Sequence, residues 1–223
     1  MMVMKRLFLV IALCFGIVAA YAQEQKEKSA IDFKNEGNDA LRAKNYPEAL
    51  KLYEEALSHW KDEPKDTAMV YNMAYCAYQT KSYDKAIKYF DEAIGLGYKK
   101  DIALLYKANA YKMMNNEDAY VKTLEDALAS QPDNAKVKQQ LAVVYLKQAN
   151  VFYVNGAKIL KEAAADVAAS KYKTTDSQYK EAESKAQAEF KKALPIIEKA
   201  LSFDPNNETG KKLKDACLQT IKG

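Results

Sequence analysis

The chain has 223 residues with 34 Lys and Arg against 30 Asp and Glu, a net charge of +4, one His and three Cys. Such a balance gives no reason to expect nucleic acid, which calls for a clustered basic face, and with Cys14 inside an N-terminal apolar run the one His and two distant Cys that remain do not make a zinc site. Gly and Pro are scarce while Ala, Lys, Glu and Tyr abound, a composition of helices.

The chain opens MMVMKRLFLVIALCFGIVAAYAQEQ. Lys5 and Arg6 form a positive start, residues 7–18 an apolar run, and Ala20-Tyr21-Ala22 a small-x-small cleavage pattern. The run is too short to span a bilayer, which takes about 20 residues. Residues 1–22 therefore read as a cleavable signal peptide, and residues 23–29 as a short polar tail. Cys14 follows Leu13, where lipoprotein processing wants a small residue, so it belongs to the apolar run. The expected product is exported, periplasmic in a Gram-negative source and otherwise secreted, with no integral membrane segment after cleavage. It keeps Cys76 and Cys217, too few for a disulfide framework.

From Ala30 the chain repeats itself. AIDFKNEGNDALRAKNYPEALKLYEEALSHW aligns with a segment starting at Thr67, TAMVYNMAYCAYQTKSYDKAIKYFDEAIGLGYKK. That segment aligns, 34 residues on, with DIALLYKANAYKMMNNEDAYVKTLEDALASQPDN from Asp101. A fixed period of this size means stacked helical hairpins. Gly37, Ala74 and Ala108 on first helices face Ala49, Ala56, Ala86 and Ala93 on second helices, small residues that permit close approach. Phe33, Tyr53, Phe90 and Tyr111 fill the remaining space. With Met73, Leu104, Leu124, Ala127 and Pro132 in register, the pattern resembles the tetratricopeptide repeat (TPR) family, and in particular exported bacterial members. Tyr120 departs from it, standing where the second helix usually has a small residue, and suggests looser packing there.

A fourth repeat starts at Ala135, with Leu141, Ala142 and Tyr145 at first-helix positions. Its second-helix alanines, Ala193 and Ala200, arrive about 39 residues late. Within residues 151–189, Phe152, Gly156, Ile159, Ala163 and Val167 continue one helical stripe. Tyr179, Ala182, Ala186, Phe190, Ala193 and Ile197 make another. Between them, Thr175 and Gln178 fit a capping box. Both helices of the repeat are read as lengthened into an antiparallel hairpin projecting on the order of 27 Å. Pro195 should bend the returning helix where it rejoins the stack. Residues 208–223 form a capping helix with Leu213, Ala216, Cys217 and Ile221 inward. The resemblance implies an all-α, right-handed solenoid of antiparallel hairpins over residues 30–223, with repeats at about 30–66, 67–100, 101–134 and 135–207.

Residues 70–78, VYNMAYCAY, carry two stripes. Val70, Met73, Ala74 and Ala77 follow the spacing of a buried face, while Tyr71, Tyr75 and Tyr78 run beside it. In the family, first helices line the concave side, so the tyrosines are implied to wall a groove with Lys34, Asn38, Leu105, Asn109, Lys112 and Met113. Tyrosine offers a rigid apolar face and a hydroxyl for a peptide backbone. The competing reading is packing between repeats, and Tyr75 is the residue it explains least. A chaperone-type carboxylate clamp matches only Lys34, Asn38 and Asn72, its remaining positions falling on Ile102 and Tyr106.

No nucleophile elbow or phosphate-binding loop is present, His59 has only Glu55 nearby in sequence, and Cys76 lies among apolar neighbours. The expectation is a non-enzymatic scaffold with no cofactor and no metal, binding a protein or peptide in the groove. The alternative is an assembly role through the hairpin, with Tyr172 and Tyr179 at its tip and homo-oligomerisation as one outcome.

Overall fold

The structure is a computed structural model that describes residues 27–61 and 65–222. The leader and its cleavage site lie outside the described residues. The chain divides at Lys65–Asp66 into two compact units.

The first unit is one hairpin, α1 (Ala30–Arg42) and α2 (Tyr46–His59). Ser29 and Asp32 form a capping box at its start, satisfying two otherwise orphaned donors. A Cβ on Gly37 would lie 2.8 Å from the Tyr53 ring, so only glycine lets the ring seat against α1. The Tyr53 hydroxyl donates to Asn38 Oδ1 at 2.8 Å, and Phe33 stacks on His59.

The second unit begins with the hairpins α3 (Thr67–Gln79) with α4 (Tyr83–Gly95) and α5 (Lys100–Met113) with α6 (Glu117–Ser130). It continues with α7 (Ala135–Ala168), α8 (Ser177–Phe203) and α9 (Glu208–Lys222). Helix starts follow their polar caps: side chains of Asp66, Asn116 and Asn134 accept from the backbone N–H three residues on. Such a cap contributes about 1 kcal/mol. Ala74, Ala86, Ala93, Ala108 and Ala127 are all buried at the helix crossings.

All four hairpin turns close alike. After the last helical turn, Lys44, Lys81, Asn115 and Ser170 adopt positive φ. Paired bonds such as Lys81 N–H to the Tyr78 carbonyl and Ser82 N–H to the Ala77 carbonyl then cap the helix. This is the Schellman arrangement. In the fourth hairpin the same turn stands at Ser170, displaced outward because α7 and α8 are 34 and 27 residues long, against 13 or 14 for α1 to α6.

The two long helices run antiparallel, as their contacts show: Tyr145 stacks on Phe203 and Tyr153 meets Phe190, and in the turn between them the Tyr172 hydroxyl reaches the Ala163 carbonyl. Gly156 sets their separation, since a Cβ there would come within 2.9 Å of the Phe190 ring and 3.1 Å of the Ala186 carbonyl oxygen. Pro195 sits inside α8, exposed, and the helix continues through it. The expected box at Thr175 is not formed. Asp176 is the N-cap, and its carboxylate accepts instead from the Lys173 N–H at 2.8 Å, a local turn bond that competes with capping.

At the base of the long hairpin, Glu125 of α6 accepts from the Tyr145 hydroxyl at 2.7 Å and from Lys199 Nζ at 2.9 Å. The two bonds, Lys199 first, hold the Glu125 carboxyl below its usual range. Three helices are thereby tied at one point. Cys217 of α9 is buried in the same core as Leu141, Tyr145 and Ile197.

Candidate functional site

Tyr71, Tyr75 and Tyr78 are placed together by α3, and each touches another aromatic ring. Tyr71 is 8% exposed and meets Phe90 and Tyr98 edge-on. Tyr75 and Tyr78 both meet the edge or face of Tyr106 at ring-centroid distances of 5.4 and 5.3 Å, and Tyr106 stacks on Phe90. Edge-to-face pairs of this kind contribute about 0.5–1.5 kcal/mol beyond buried area. The cluster joins α3, α4 and α5. Burial first, then the neighbouring Tyr106, pushes the Tyr71 hydroxyl up to about 12. It is therefore neutral at any physiological pH. Tyr75 and Tyr78 keep partly open surfaces.

The remaining first-helix residues of the second unit define a different, emptier surface. Ile102, Met113 and Val143 are 48%, 56% and 57% exposed, large apolar groups left open among the described residues. Leu105 and Asn109 lie half-buried on α5 between the first two. At the Lys112 end of α5 is a cavity of about 550 Å³ lined by Lys112, Glu117, Tyr120, Gln139, Val143 and Lys147 among others. A second cavity, about 700 Å³, is lined by Val143, Leu146, Lys147, Asn150, Tyr153, Lys212 and Leu213 with neighbours on α9. The two share Val143 and Lys147 and make a trough along both flanks of α7, against the end of α5 and the start of α6 on one side and α9 on the other. Apolar groups make much of its floor, while Lys112, Lys147 and Lys212 stand along it. Lys147 pairs with Glu117. This bond and one from Gln148 lower the Glu117 carboxyl below its usual range. Tyr120 is buried in the core yet also walls the trough, and Lys112 lies over its ring at 5.7 Å.

Lys34 and Asn38 belong to the first unit, Lys34 over the Trp60 ring at 5.8 Å and Asn38 bonded to Tyr53. Tyr172 and Tyr179 are half-buried at the hairpin tip, where residues 167 and 170–176 line a cavity of about 640 Å³. Reading by repeat position reached Lys112 and Met113 but missed Tyr106, Glu117, Tyr153 and Lys212. For Lys212 and Leu213 a signal existed. Thr209, Lys212 and Ala216 recur at first-helix spacing on the capping helix.

Among the described residues no group of His, Cys, Asp or Glu is placed to hold a metal ion, and no helix is long and apolar enough to cross a membrane. Cys76 and Cys217 are free and buried, and desolvation pushes the Cys76 thiol up to about 12. A thiol held in its protonated form is a poor nucleophile.

A family model described as tetratricopeptide repeat matches residues 34–99. A DnaJ homolog subfamily C member 7 homolog of Schizosaccharomyces pombe is 27% identical over 115 residues, 51% of this chain and 24% of that protein. Mouse sperm-associated antigen 1 is 32% identical over 123 residues, 54% of this chain and 13% of its own length. The chain thus spans less than a quarter of these curated relatives. A solved TPR-repeat protein from Bacteroides fragilis NCTC 9343 superposes with a TM-score of 0.57 at 29% identity, covering 86% of this chain and 99% of that one.

Proposed function

The chain belongs to the tetratricopeptide-repeat family, whose members generally serve as protein-interaction modules, and on that premise we propose that it is an exported, non-enzymatic binding protein. Its working surface is the first-helix face of the second unit, which receives a segment of a partner protein or a peptide. The observation that supports this most is the trough lined by the half-exposed Val143, together with Met113, next to its lining residue Lys112, and Ile102 farther along α5, both about half exposed. Exposed apolar groups gathered beside a cleft mark interaction sites on soluble proteins. The tyrosine stripe contributes at one end through Tyr75 and Tyr78, while Tyr71 serves the packing of the repeats.

Replacing Ile102 and Val143 together by Glu places two charges on this face without entering the core. Loss of the native partner from affinity isolates, by at least about tenfold, is expected. Undiminished recovery by a folded double variant contradicts the reading. Export rests on the leader pattern, and Edman sequencing of the protein from its native source should begin at Gln23. A chain beginning at Met1, or a lipid on Cys14, contradicts it.

The second reading, assembly through the long hairpin, draws on Val151 and Val154, exposed on α7 at 56% and 51%.

A further inference from the structure

The trough does not account for the whole exposed face of α7. Val143, Val151 and Val154 are all more than half exposed. At 100° per residue they fall with Lys147 and Lys158 inside an arc of about 80°. The row begins in the trough, where Val143 lines both cavities. It ends on the long hairpin beyond Tyr153, the last α7 residue shared with the α9 cavity. From Val143 to Lys161 it extends about 27 Å at the helical rise.

Up to Lys161 the charge of this helix is of one sign; Glu162 and Asp166 follow toward the hairpin tip, and Glu189 of α8 lines a cavity with Lys158. Between Ala135 and Lys161, α7 carries Lys136, Lys138, Lys147, Lys158 and Lys161 and not one Asp or Glu. Lys112 and Lys212 add to the same trough. The ion pairs that touch the row are Lys147 with Glu117 and a long 3.9 Å contact between Lys158 and Glu162. The surrounding helix α8 instead mixes signs, with pairs such as Lys185–Glu181 on its own surface.

Resting on the binding function proposed above, we infer that the α7 face from Val143 to Lys161 is a docking site for an acidic amphipathic helix of a partner protein. The straight row of valines offers the ridge a second helix packs against, burying its apolar stripe at positions i, i+4 and i+7 or i+8. Lysines on the flanks meet its Glu or Asp side chains and set orientation. Nucleic acid is the poorer fit. The row contains no arginine, the residue suited to bidentate phosphate contacts, and its centre is aliphatic rather than aromatic.

The test uses the full mature chain, labelled at its valine methyls, and a synthetic amphipathic helix of about 20 residues with Leu on one face and Glu along both flanks. Companion probes are the same helix with Lys for Glu, a single-stranded DNA oligonucleotide and phosphatidylglycerol vesicles. Only the acidic helix is expected to bind, shifting the Val143, Val151 and Val154 signals and releasing as salt rises. Lys158→Glu with Lys161→Glu should weaken it at least about tenfold. Val151→Asp with Val154→Asp should abolish it, both variants keeping the parent's circular dichroism. The inference is overturned by no binding at millimolar peptide, by equal binding of the basic helix, or by shifts confined to other residues. DNA or vesicles moving the same valines, or self-association that buries them, overturns it equally. If Ile102→Glu with Val143→Glu loses the native partner and Val151→Asp with Val154→Asp does not, the docking site fails while the binding function stands. If neither loses it, both fail.

Discussion

Tyr71→Ala lowers the stability of the second unit by about 3–5 kcal/mol, the range for emptying a buried aromatic site, whereas Tyr75→Ala costs well under half of that. The difference follows from burial: Tyr71 is 8% exposed against Phe90 and Tyr98, while Tyr75 keeps an open side. Lys99 lies over the Tyr71 ring at 5.0 Å and over Tyr98 at 5.4 Å, so truncation also removes a cation–π contact of about 0.5–1 kcal/mol. Urea unfolding followed by circular dichroism reads both variants. Equal midpoints for the two would contradict the assignment of Tyr71 to packing and return all three tyrosines to a binding role.

Gly156→Leu separates the long helices. Its Cβ alone would stand 2.9 Å from the Phe190 ring and 3.1 Å from a backbone carbonyl, and the remaining side chain has nowhere to go. Overpacking costs about 1–3 kcal/mol or more, opposed by about 1 kcal/mol from replacing a mid-helix glycine. A net loss of about 2 kcal/mol is expected. The sharper form is a cycle. Gly156→Ala combined with Phe190→Leu should be less destabilised than the sum of the two single changes, by about 1 kcal/mol, because the smaller side chain vacates the contested space. Strict additivity in thermal unfolding would show that Gly156 does not set the helix separation.

Most of the fold was legible because small residues at a fixed period have one structural use, the close crossing of helices. The long hairpin was legible for a related reason. Ala186, Phe190, Ala193 and Ile197 continue a stripe that only a helix explains, and all four are buried. The turns were not. Lys44, Lys81 and Ser170 take the positive φ that a sequence reader seeks at Gly or Asn, and of the four turns within hairpins Asn115 alone gives that signal. The cap of α8 was misplaced by one residue because Thr175 and Asp176 both suit the position and a local bond to Lys173 decides between them.

The site was legible to the level of a face. Tyr71, Tyr75 and Tyr78 share a stripe, but a stripe does not say which ring a neighbouring repeat covers. That depends on partners distant in sequence: Phe90 and Tyr98, 19 and 27 positions on, cover Tyr71, while Tyr106, 31 and 28 positions from Tyr75 and Tyr78, meets those two and leaves them partly open. Exposure at Ile102, Met113 and Val143 likewise depends on what neighbouring helices leave uncovered, which periodicity alone does not report.

The most direct measurement places a photo-crosslinking amino acid singly at Val143, and for comparison at exposed Lys88 of α4 and Lys122 of α6, in protein expressed in its native source. A binding face on the first helices predicts an ultraviolet-dependent adduct with one partner polypeptide from Val143 and none from Lys88 or Lys122. Adducts from Lys88 or Lys122 with Val143 silent would contradict it.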